Sequence, residues 1–143
     1  MSTHSQSSII SALLLKLPSI RERWAEHCSD WGDEEPGAYN DIGVIARHLQ
    51  SLYPARPTKN HPSNTSEFSS FFDQVEDFFT LEQQEPTELL TIGLFESLQN
   101  ITAPEYGGWS RFEPWLGSRS RRAWDQLIQF WNGNTEQVVA PNP

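Results

Sequence analysis

Apolar residues recur along this chain at helical intervals, and proline and glycine separate the runs. Ile9, Ile10, Leu13, Leu14 and Leu17 share such a spacing, which predicts a first helix. Pro18 cannot continue a helix interior but suits the first turn of a second helix. The apolar stripe of that second helix would be Ile20, Trp24 and Cys28. Asp30 to Gly37 is acidic and broken by Gly and Pro, so it is expected to be a loop. Asp41 is a candidate N-cap for a third helix, whose stripe is Ile42, Ile45, Leu49 and Leu52. Residues 53–65 hold Pro54, Pro57 and Pro62 and read as a Pro-rich loop.

The clearest pattern follows. Phe68, Phe71, Phe72, Val75, Phe78 and Phe79 lie on one face of a long helix, which Thr65 or Ser66 could cap. Asp73, Glu76 and Asp77 then fall on the opposite face, towards water. Pro86 opens a further helix, in which Leu89, Leu90, Ile92, Leu94, Phe95 and Leu98 are apolar on nearly every side. Such a helix is expected at the centre of the fold. Phe112, Trp115 and Leu116 form a short turn closed by Gly117. Ser118 or Ser120 is the expected cap of a last helix carrying Ala123, Trp124, Leu127, Ile128 and Trp131. No alternating strand pattern and no internal repeat stands out. The expected architecture is all-α: one domain over residues 1–143, a bundle of about six helices with a Phe/Trp-rich core. Residues 1–6 and 134–143 are expected to be loose tails.

Composition adds two constraints. Hydrophobic residues make up only 36% of the chain, so the six Trp and eight Phe must supply much of the core. Cys28 is the single cysteine, which excludes an internal disulfide and suits a reducing cytoplasm. The apolar run Ile9 to Leu15 lacks the flanks of a signal peptide, and no segment reaches bilayer length. A cytoplasmic protein without membrane contact is expected.

Charge changes the picture most. Asn60 to Ser110 contains no Lys or Arg and nine acids, while the remaining acids and bases balance, so the net charge of −9 sits in this stretch. Such a field steers association towards a basic partner. It argues against direct nucleic-acid binding, which needs a basic footprint. Arg111, Arg119, Arg121 and Arg122 are the one dense basic group, expected to neutralise the neighbouring acidic helices.

Candidate chemistry is sparse. His4, His27, His48 and His61 form no ligand spacing. His27 and Cys28 are adjacent and would point about 100° apart on a helix, a poor geometry for one metal even with Asp30 and Asp33. Cys28 is expected to be a small buried thiol. Asp73, Glu76 and Asp77 are expected on the wet face, without the burial that shifts a catalytic pKa. Glu96 lies inside the apolar helix, where pairing with an Arg of the last helix is expected. No catalytic residue, metal ligand or cofactor is assigned.

Gly93-Leu94-Phe95-Glu96-Ser97-Leu98-Gln99-Asn100 is followed by Phe112, Trp115-Leu116-Gly117, Ser120-Arg121, Ala123-Trp124-Asp125-Gln126-Leu127 and Phe130-Trp131. With the Phe- and acid-rich helix upstream, this order resembles a family of small all-helical bacterial proteins regarded as candidate immunity proteins of toxin systems. The resemblance runs from about Ser66 to Asn132, and the first 60 residues carry no recognised counterpart. It implies a non-enzymatic protein that neutralises a basic protein partner, such as a nuclease toxin. Two alternatives stay open. One is a phage or plasmid inhibitor of a nucleic-acid-guided defence complex, binding one of its subunits. The other is a metal-binding or enzymatic bundle. The expected partner-binding residues are Asp73, Glu76, Asp77, Glu82 and Glu85, with Trp109 and Trp115 as aromatic anchors.

Overall fold

A computed structural model describes residues 5–34, 36–52, 65–102 and 108–131, except the side chains of residues 101, 102, 109 and 131. The Pro-rich loop at 53–64, residues 1–4 and the C-terminal residues from 132 onward lie outside this description. Among the described residues the structure is all helical. In chain order the elements are α1 (Gln6–Leu15), a 3-10 turn (Pro18–Ile20), α2 (Arg21–Trp31), α3 (Ala38–Ser51) and α4 (Thr65–Thr80). Then come α5 (Gln84–Glu88), a π-helical segment (Leu89–Phe95) and α6 (Glu96–Thr102), which continue one another. A second 3-10 segment (Gly108–Trp115) leads into α7 (Ser118–Trp131).

The apolar stripes form these helices because each can bury its face only against another. All six residues of the α4 stripe, from Phe68 to Phe79, are buried. α4 packs on α1 and α7, while α3 packs on the π-helical segment and α6. Phe68, Phe72, Phe95, Phe112 and Trp124 make a chain of ring contacts through the centre. Trp124 is fully buried, and its indole N–H donates to Glu113 Oε2 at 3.1 Å. Its carbonyl accepts from the buried Gln99 side chain at 3.2 Å.

Several boundaries and exposures differ from the expectation. Ser5 caps α1, its Oγ accepting the Ser8 N–H at 3.2 Å, so Ser5 and Gln6 belong to the fold rather than to a tail. α2 runs on through Asp30 to Trp31, and the loop begins only at Gly32. α3 starts at Ala38, so Asp41 is not its cap but sits in the first turn and bonds His27 instead. Cys28 is exposed, because no residue of α2 is fully buried and this helix lies at the edge of the bundle.

The central helix is not apolar all round in its surroundings. Ile92 is 47% exposed. Here the i→i+5 bonding of the π-helix winds the chain more slowly than an α-helix, and the side-chain register slips. Gly93 faces α3 directly: a Cβ there would lie 2.7 Å from Ile42 Cγ2 and 3.3 Å from Tyr39 Cδ1. The missing side chain is what lets the two helices approach so closely.

Candidate functional site

The acidic residues expected to form a docking face have divided roles. Glu76 does not point into water. Its carboxylate reaches the start of α7, where Oε1 accepts the Ser120 N–H at 2.9 Å and the Ser120 hydroxyl at 2.7 Å. Oε2 accepts the Arg119 N–H at 3.2 Å. Helix N-termini leave donors unsatisfied, and here α4 supplies the acceptor that Ser118 or Ser120 was expected to supply. Partial burial pushes the Glu76 carboxyl upward. The bonds from Ser120 and Arg119, with the Arg119 charge, outweigh it and hold the group below the usual carboxylate range. Gly117 fits this contact, since a Cβ there would lie 2.4 to 2.6 Å from the Glu76 carboxyl end.

Glu82 pairs with the Arg119 guanidinium at 2.7 Å. Asp73, Asp77 and Glu85 are exposed, as expected, and none is in an ion pair among the described residues. Trp115 is half-buried, its ring packed edge-on against Phe68 at 5.3 Å. The Trp109 side chain lies outside the described residues. Arg121 bonds Asp125 and Glu113, and Arg111 is buried. Among the described residues Glu96 pairs with no arginine of α7.

Two features went unseen in the sequence. One is a surface patch at the α3 seam. The Tyr39 ring lies against Gly93 and is 47% exposed, as is Ile92, the residue before Gly93. Burial raises the Tyr39 hydroxyl above its ordinary value, and the nearby Glu88 carboxylate adds to it. Glu88 and Glu85 rim the same helix and are exposed.

The other is a polar cluster that joins the exposed Ser19 to the buried His48 and Glu67. The 3-10 turn has no local side-chain cap, and Glu67, 5% exposed in the first turn of α4, takes the Ser19 N–H at 2.7 Å. Ser19 Oγ and His48 Nε2 share a hydrogen bond of 2.7 Å. The signal was present: His48 sits four residues after Val44 and three after Ile45, on the buried stripe of α3. A hydroxyl on an imidazole suggests a nucleophile and its base. Among the described residues no acid orients Nδ1, and the Ser19 N–H that could help an oxyanion is already held by Glu67. The cluster ties the 3-10 turn, α3 and α4 together.

Among the described residues no three His, Cys, Asp or Glu side chains converge to hold a metal ion. No described helix is long and apolar enough to cross a membrane. The family described as a domain of unknown function (DUF7674) matches residues 10–132. The chain belongs to this family. The match begins inside α1 and takes in α2 and α3, so most of the N-terminal third is part of the same DUF7674 domain rather than a segment without counterpart. Searches of curated proteins and of solved structures give no match to it.

Proposed function

We propose that this DUF7674 protein is a non-enzymatic binding protein of the cytoplasm that docks on and neutralises a basic protein partner, as an immunity protein blocks a toxin. One observation carries the reading: among the described residues, exposed acids without an ion pair share the surface with an exposed aromatic, Tyr39, and an exposed aliphatic, Ile92. Of the nine acids between Asn60 and Ser110, Glu67 and Glu76 bond the backbone of other elements and Glu82 pairs with Arg119. Asp73, Asp77, Glu85 and Glu88 stay exposed without an ion pair among the described residues. Tyr39 and Ile92, with Glu85 and Glu88 at the rim, supply the centre and edge that interfaces use. A partner surface rich in Lys and Arg around an apolar residue matches this arrangement.

The test begins with affinity capture from the native host and mass spectrometry. Binding kinetics of the captured partner then follow at two salt concentrations. Changing Glu85 and Glu88 to Lys should slow association by about 10-fold at low salt, and the gap should narrow as salt screens the charges. A wild-type on-rate in the double variant, insensitive to salt, overturns the reading.

A further inference from the structure

We propose that His48 is the proton-sensitive member of a latch that holds the start of α2 against α3 and α4, and that protonating its ring frees α2 from the bundle. The latch joins three elements at one point. Ser19, in the turn that opens α2, gives its N–H to Glu67 of α4 and shares its hydroxyl with His48 of α3. Ser19 is itself exposed, so water and protons reach the ring through it. His48 is only 7% exposed, and its Nδ1 is buried with no hydrogen-bond partner among the described residues.

A neutral imidazole tolerates this site because one nitrogen carries no proton. In the imidazolium both nitrogens are donors. Nε2 keeps the Ser19 oxygen as acceptor, but Nδ1–H is left inside the protein with none among the described residues. The charged groups acting on the ring are Arg23 of α2 and Glu67 of α4, of opposite effect. Burial pushes the ring below its ordinary range, Arg23 adds to this, and Glu67 opposes it. When α2 swings out, the ring gains water and the Arg23 guanidinium departs with the helix. Both changes favour the protonated form.

α2 is the element that can leave. None of its residues is fully buried, and its other side-chain hydrogen bond to the bundle among the described residues joins His27 to Asp41 at 2.8 Å. Opening uncovers Ile20, now 3% exposed, and widens the apolar groove of about 300 Å³ lined by Leu14, Leu15, Pro18 and Trp24. The sign is fixed by the lowered value. The latch is closed above the ordinary histidine range near 6.5 and weakens as pH falls through the lowered folded value.

Amide hydrogen exchange on the full chain tests this, with rates corrected for the intrinsic effect of pH. Between pH 7.5 and 5, the α2 amides should lose at least about 10-fold in protection relative to those of α4, as expected for local opening. His48→Gln can still bond Ser19 but cannot be protonated, and it should abolish that selective loss. The proposal is overturned if α2 and α4 lose protection together, or if the variant responds as the wild type does. If His48→Gln does not fold, Ser19→Ala decides. It removes the ring's partner, so α2 should already be weakly protected at pH 7.5, with little further fall. Wild-type protection and pH response in Ser19→Ala would overturn the latch.

Discussion

Glu76 holds Ser120 by two bonds at once, to its backbone N–H at 2.9 Å and to its hydroxyl at 2.7 Å, although 44 residues separate them. A carboxylate in the middle of one helix thereby completes the first turn of another. It also interacts favourably with the positive end of the α7 dipole. The favourable partners are present only when α4 and α7 are docked.

Removing this acceptor should be measurable. Glu76→Ala should destabilise the protein by about 1–2 kcal/mol, the size of a lost helix cap. Asp73→Ala and Asp77→Ala, both exposed, should each change stability by less than about 0.5 kcal/mol. Urea unfolding midpoints of the three variants make the comparison.

The carboxyl should also leave a mark on the pH profile. Its folded value lies below its ordinary 4.5, so its contribution is complete above that pH and fades as pH falls through the lowered value. Glu76→Gln cannot ionise. The stability gap between wild type and Glu76→Gln should therefore be widest near neutral pH and shrink below about pH 4.5. Chemical denaturation at intervals between pH 7 and 3 checks this.

Gly117 and Glu76 should be energetically coupled. A Cβ at Gly117 would press on the Glu76 carboxyl, so Gly117→Ala alone should cost about 1–3 kcal/mol. In a Glu76→Ala background much of that cost should disappear. A double-mutant cycle read by thermal unfolding should return a coupling of at least about 0.5 kcal/mol.

The aromatic core gives a larger effect. Phe71 is fully buried and meets Phe72 edge-on at 5.1 Å. Phe71→Ala should cost about 3–5 kcal/mol through lost burial and the cavity left behind. Gly93→Ala should cost less, about 1–3 kcal/mol, because Ile42 and Tyr39 must move to admit one methyl group. Calorimetry on both variants tests the order.

What the sequence made legible was whatever repeats within one helix. The Phe68 to Phe79 stripe and the helical starts around Pro18 and Pro86 follow from spacing, and the folded chain buries or places them as that spacing implies. The function of Glu76 could not be read that way. Three- and four-residue spacing put it with Asp73 and Asp77, and only the docking of α7 distinguishes it from them. Cys28 likewise matches the α2 stripe, but the position of α2 at the edge of the bundle leaves its thiol outside. The latch had one local sign, a histidine on the apolar face of α3, while its partners Ser19 and Glu67 come from distant parts of the chain.

The remote caps also bear on the order in which the chain can fold. The 3-10 turn before α2 and the first turn of α7 both draw an acceptor from α4, across 48 and 44 residues. Neither start can gain that help as an isolated segment, and the first turn is the costly step in forming any helix. α4 carries both acceptors and the most regular apolar stripe, so it is the natural partner for nucleation. Core substitutions in α4 should then slow folding, whereas changes at Ser19 or Ser120 should act mainly by speeding unfolding. On this view the acids of α4 set the sequence of events in assembly as well as the charge of the finished surface.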